Sequence, residues 1–225
     1  MFQKQKQRTG KWPRRKRKAP IELIHIARIA KLIRTVCCCG PIHMQPDRSR
    51  FYHLSKFIIR KCMSNDTANP PGQRRVLTKG IKALEDYELD IECPLSEHLD
   101  IPYQISIDRK IEIFFPAFIP AVQITTPPNA THCRLIAVTA SLDFSYYTSV
   151  IKSDESSLIP LTHSMVHPFT LKMELPQPSH HPVFLVLGLA YCNENRYSTH
   201  CQAVKIIHIK NANNLSFSSN PNTIP

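Results

Sequence analysis

Two runs of this chain are apolar on both alternating faces, and they restrict the fold more than any other feature. In CRLIAVTASLDF (133–144), Cys133, Leu135, Ala137 and Thr139 fall on one side of an extended strand. Ile136, Val138, Ala140, Leu142 and Phe144 fall on the other. The run FLVLGLA (184–190) is apolar on both sides as well. A strand in a two-layer sandwich keeps one wet, polar face, and neither of these strands has one. Both therefore need a second cover, from the N-terminal helices, from closure of the core or from another subunit. Burying four or five side chains there contributes roughly 1.5–3 kcal/mol each.

The neighbouring sequence has the same period of two. YELDIEC (87–93), PYQISID (102–108), KIEIFF (110–115), AVQIT (121–125), YYTSVI (146–151), FTLKMEL (169–175) and AVKIIHIK (203–210) all alternate. Proline-rich and polar clusters such as TTPPN, SDESS and LPQPSHHP separate them. Short strands with frequent turn signals predict an antiparallel β-sandwich, Ig-like or jelly-roll-like. No helical intervals lie between them, so a parallel βαβ sheet is not expected. With 5 glycines and 19 prolines, tight two-residue hairpins are expected to be few and connections stiff.

The part before residue 87 reads as helical. Pro20 suits a first-turn position and Glu22, Lys31 and Arg34 match the dipole of a helix over 21–36. Its polar residues Glu22, His25, Arg28, Lys31 and Arg34 recur every three positions, so they spiral around the helix instead of holding one face. A better helix spans 47–63, capped by Asp47 or Ser49, with Phe51, Leu54, Ile58 and Cys62 in one stripe. SNDTANPPG (64–72) is a loop, and 73–86 reads as a third helix with Leu77, Ile81 and Leu84 on one side. The expected class is thus α+β. A disordered basic tail (1–20) precedes a helical region (21–86), a β-sandwich (87–210) and a disordered tail (211–225).

Charge divides along the same line. Residues 1–82 hold 21 Lys/Arg against Glu22, Asp47 and Asp66, a net +18, whereas residues 83–225 hold 8 against 14 acids, a net −6. A basic front of this kind implies an acidic partner: nucleic acid, anionic lipid or the chain's own acidic part. Lys11, Arg14, Arg15, Lys16, Arg17 and Lys18 are the first candidates for phosphate contact. No helix-turn-helix or RNP motif accompanies them.

Three blocks, PPGQRRVLTKGIKALEDYELDI (70–91), FFPAFIPAVQITTPPNATHCRLIAVTASLDF (114–144) and PVFLVLGLAYCNENRYSTHCQAVKIIHI (182–209), carry a resemblance. In their order, and over about residues 25–210, the chain resembles a family of uncharacterised bacterial proteins of the Bacteroidota type, about 200–250 residues long. The resemblance implies architecture and bacterial origin, and no chemistry. Members of that family open with a glycine-rich, strand-like segment, where this chain has KQKQRTGKWPRRKRKAP and CCCGPIHMQPDR.

Candidate chemistry is sparse. Cys37, Cys38 and Cys39 with His43 invite a zinc reading, but structural sites use C-x(2–4)-C pairs and no second pair lies at a suitable distance. Cys192, His200 and Cys201, with His180 and His181, match no zinc module. Asp143 ends a strand and is expected to cap a turn through the backbone. His132 lies eleven residues away on the same strand and cannot meet it. No glycine-rich phosphate cradle, dinucleotide fingerprint, HExxH or nucleophile elbow is present. The sequence therefore nominates no catalytic residue, metal ligand or cofactor.

The 8 cysteines accompany no apolar signal segment or membrane span, so a reduced, soluble, cytoplasmic chain is expected. The function expected first is a non-enzymatic structural or protein-interaction module, with its contact surface on the β-sandwich and a protein partner or a second copy as ligand. The alternative is a nucleic-acid-associated protein that uses residues 1–82.

Overall fold

The computed structural model describes residues 21–38, 42, 47–176, 181–193 and 196–211. The basic residues Lys11, Arg14, Arg15, Lys16, Arg17 and Lys18, and the tail beyond 211, lie outside them.

The chain is α+β, with two antiparallel sheets and a helical layer. Helix α1 (Ile21–Cys37) is followed by α2 (Arg48–Phe57), which continues as a π-helical turn over Ile58–Cys62. A helical turn, α3 (Thr78–Ile81), crosses that π-helical segment. Two more turns, α4 (Leu95–His98) and α5 (Pro120–Gln123), lie among the strands. Strands β1 (Gln104–Ile107), β2 (Lys110–Phe115) and β6 (Phe169–Glu174) form a three-stranded sheet in the order β1-β2-β6. Strands β3 (His132–Asp143), β4 (Thr148–Glu155), β7 (Val183–Asn193) and β8 (Arg196–Lys210) form the larger sheet in the order β4-β3-β7-β8. The short β5 (Ile159–Pro160) pairs with the start of β3.

Two apolar cores share the larger sheet. Cys133, Leu135 and Ala137 of β3 and Leu185, Leu187 and Leu189 of β7 meet Ile111, Ile113 and Phe115 of the smaller sheet. Ile136, Val138, Ala140 and Leu142 of β3, with Phe184 and Val186 of β7, meet Ile26, Ile29, Ile33, Leu54 and Ile58 of the helices. The helices are therefore the second cover that the doubly apolar strands require. Gly188 faces Ile42, and a Cβ there would lie 2.8 Å from Ile42 Cδ1.

Several sequence expectations need correction. Residues 87–93 do not form a full strand; they pair with β8 only around the Glu88–Lys205 bridge, where the Leu89 amide donates to the Val204 carbonyl at 2.9 Å and the Ile206 amide to the Tyr87 carbonyl at 3.0 Å. Glu88 is instead turned to accept the Leu95 amide at 2.8 Å and the Ser96 amide at 3.1 Å, and Asp90 binds Arg50. Residues 121–125 open as a helical turn because Pro120 sits at its first position. The third helix is two short turns, and Leu77 is exposed while Ile81 and Leu84 are buried. The period-three polar set did not make α1 a poor packer, since Ile26, Ile29, Ala30, Ile33, Val36 and Cys37 keep helical spacing and are buried.

Candidate functional site

The residues that first suggested chemistry do not assemble into a reactive centre. Cys37 is fully buried in the helix-side core, and Cys39 and His43 lie outside the described residues. Cys192 is buried, while His180 and the side chains of His200 and Cys201 are likewise not described. Burial pushes the Cys133 thiol up to about 12, which leaves it without thiolate character at neutral pH. The expectation of a wholly reduced chain does not hold at Cys93, which is disulfide-bonded. Among the described residues no cluster of His, Cys, Asp or Glu is placed to hold a metal ion. No described helix is long and apolar enough to cross a membrane.

Asp143 does cap a turn: its Oδ1 accepts the Ser145 amide at 2.7 Å and the Tyr146 amide at 3.1 Å. His132 stands at the opposite end of β3. A histidine does reach Asp143, however, with His181 Nε2 lying 3.5 Å from Oδ2. The signal for this pair is the strand register. Ser141 pairs with Val183, and the same antiparallel register carried two residues further puts 143 opposite 181. The pair lines none of the depressions described below, so it reads as a clasp on the β3–β4 turn.

The surface that does gather charge winds around α1. Its period-three spiral has a structural consequence, because each step of three residues turns the side chain by about −60° around the helix. Glu22 points to the 69–76 segment, Arg28 and Lys31 lie on the outer surface, and Arg34 reaches α2. Three connected depressions follow that path. The first, about 680 Å³, is lined by His25, Arg28, Arg74, Arg75 and Tyr147 among others. The second, about 410 Å³, lies beside Arg28, Lys31 and Tyr147. The third, about 530 Å³, runs between α1 and α2 with Ile24, Ala27 and Phe51 as its floor and Arg28, Lys31, Arg34 and Arg48 around it. Arg28 lies 5.1 Å from the centre of the Tyr147 ring, and Arg34 5.8 Å from that of Phe51. Each aromatic ring thereby holds a guanidinium in place without neutralising it.

Among the described residues no carboxylate lines any of the three depressions. Among the described residues, Arg28, Lys31, Arg34, Arg48 and Arg75 form no ion pair. Arg134, Lys152, Lys172 and Lys205 of the sandwich are each paired with an acid. The one acid on α1, Glu22, is consumed internally. It accepts the Gly72 amide at 2.5 Å and the Arg74 amide at 3.2 Å, and pairs with the Arg74 guanidinium at 2.9 Å. The Arg74 side chain, helped by those amides, holds the Glu22 carboxyl below its ordinary value against the opposing effect of burial. Burial, and then the charges of Arg75 and Arg28, push His25 below its ordinary value.

The sequence showed the excess of cations but placed the likeliest contacts in the 11–18 segment, outside the described residues. The folded track of Arg28, Lys31, Arg34, Arg48 and Arg75 was missed because three segments far apart in sequence build it. No family model matches this chain, and no curated protein matches it.

Proposed function

We propose that this chain is a non-enzymatic binding module that grips the phosphate backbone of a nucleic acid along the spiral track of α1. The observation that carries this reading is five cations around neighbouring depressions that no described carboxylate lines, whereas Arg134, Lys152, Lys172 and Lys205 of the sandwich are each paired with an acid. Unpaired like charges held close together repel one another, and a polyanion relieves that repulsion. Residues 1–20, which precede α1 in the sequence, hold nine further Lys/Arg. Contacts of this kind position a backbone and carry no base sequence. A contact surface on the sandwich has less to support it, because the apolar strands that motivated it are covered by the chain's own helices.

The test is the affinity of a fluorescent 20-nucleotide probe at two salt concentrations. Five phosphate contacts give a slope of log affinity against log salt near −4.5, a loss of about 10²–10³-fold between 50 and 200 mM. Absence of binding at about 50 mM salt sinks the reading. Capture of an acidic peptide in preference to the oligonucleotide would replace the nucleic acid by a protein ligand.

A further inference from the structure

His25 lies where three elements of the track meet. It sits on α1, its Nδ1 is 2.8 Å from the Tyr147 hydroxyl of the β3–β4 turn, and its Nε2 accepts the Val76 amide at 3.4 Å. An imidazole nitrogen that accepts a backbone N–H carries no proton of its own. A second ring proton would go onto Nε2 and set two donors facing each other across that contact. It would also add a positive charge where two guanidiniums already act on the ring.

The charged and titratable groups around His25 can be named element by element. From α1 come Arg28 and Glu22, the latter already bound to Arg74. From the 66–76 segment come Arg74 and Arg75, with Asp66 accepting the Arg75 amide at 2.7 Å. From the β3–β4 turn comes the Tyr147 phenol, with Asp143 engaged by backbone amides and His181. No free carboxylate in this set offsets a charge on the ring, and Arg28 and Arg75 oppose it.

From this we infer that His25 is a proton-linked latch on the phosphate track: a bound polyanion and a proton on His25 each favour the other. The inference rests on the nucleic-acid reading above. A phosphate chain lying on Arg28 and Arg75 offsets their charges, which act beside burial to keep the proton off. By linkage, the proton tightens the phosphate contact by the same factor. The remaining cost of protonation is burial and the Val76 contact. Glu22 continues to hold Gly72 and Arg74, so the segment loosens at its Val76 end without detaching from α1.

The experiment follows the His25 ring by NMR from pH 8 to pH 5 in the full chain, free and saturated with the 20-nucleotide probe. Oligonucleotide affinity is measured over the same range. Expected are an upward shift of the His25 midpoint on binding, an affinity that rises about fivefold or more toward acid, and loss of Val76 amide protection as the ring protonates. In His25→Gln the acid enhancement attributable to this ring disappears, whereas His53→Gln retains it. Binding with an unchanged His25 midpoint overturns the latch and leaves the nucleic-acid reading intact. No binding at any pH overturns both. If His25→Gln fails to fold, the midpoint shift in the unaltered protein still decides.

Discussion

The larger sheet is covered twice, and the two covers differ in what they present to solvent. On one side β1, β2 and β6 close the sandwich through Ile111, Ile113, Phe115 and Leu171; there Lys172 of β6 meets Glu112 of β2, and Glu174 of β6 meets Lys152 of β4. On the other side α1, α2 and the π-helical turn bury as continuous an apolar surface; Arg50 pairs with Asp90, yet among the described residues Arg28, Lys31, Arg34 and Arg48 meet no acid. Hydrophobic burial accounts for both inner faces equally well. It does not account for a surface of like charge, which lowers stability through self-repulsion. The difference teaches that the helical layer combines two roles, a cover required by the strands and a charged outer face that the fold does not need.

The largest effect tests whether the helical layer is as integral as the small sheet. Ile33 and Phe115 are both fully buried, one in each core. Ile33→Ala is expected to cost about 2–5 kcal/mol and Phe115→Ala about 3–5, with each variant unfolding in one cooperative transition in denaturant. A two-step transition in Ile33→Ala, with the sandwich melting at its original midpoint, would reduce the helices to an appendage.

Two closely packed glycines, Gly80 in α3 and Gly188 on β7, separate backbone from side-chain crowding. A Cβ on Gly80 would lie 2.0 Å from the Cys62 carbonyl oxygen, so the α3 crossing has to move. Gly80→Ala is expected to cost about 1–3 kcal/mol. Gly188→Ala meets the end of the Ile42 side chain, which can rotate aside, and is expected to cost less. Thermal melts of the two variants give the order, and a larger loss at Gly188 contradicts the packing described.

How much of this could be read beforehand depended on the range of the interaction. The bounds of β2 and β6 followed from local alternation, and the need for a second cover followed from Ile136, Val138 and Ala140 lying opposite Leu135 and Ala137. Residues 87–93 were only partly legible: Tyr87 and Leu89 pair with β8 around one bridge, while Glu88 and Asp90 spend their carboxylates on distant amides and on Arg50, contacts that a period of two does not reveal. The track was only half legible. The spiral of Arg28, Lys31 and Arg34 stands in the sequence, but Arg48 and Arg75 join it only once α2 and the 69–76 segment have docked.

Acid should divide the two covers next. His25 and Glu22 both titrate below their ordinary values of 6.5 and 4.5. A group with a depressed folded value takes up protons more readily when unfolded, so its stabilising contribution is complete above the ordinary value and is lost as pH falls through the folded one. Hydrogen exchange is expected to show α1 and the 72–76 segment losing protection as pH falls below 6.5 and again below 4.5, ahead of β2. Loss of β2 protection first would contradict this order. The smallest effects belong to the paired charges on the outer sheet. Lys172→Ala and Lys152→Ala are expected to change stability by no more than about 1 kcal/mol, and larger losses in denaturant melts would mean that these pairs hold the sandwich.

The central claim is that the unpaired cations of the helical layer form one phosphate-binding track. The most direct measurement compares oligonucleotide affinity and its salt slope for the unaltered chain, for Arg28→Ala with Lys31→Ala and Arg34→Ala together, and for Arg109→Ala with Lys110→Ala on the sandwich. The account predicts that the α1 triple variant loses about 3 from the magnitude of the slope while the sandwich double variant keeps both slope and affinity. Equal losses in the two, or an unchanged slope in the α1 variant, would contradict it.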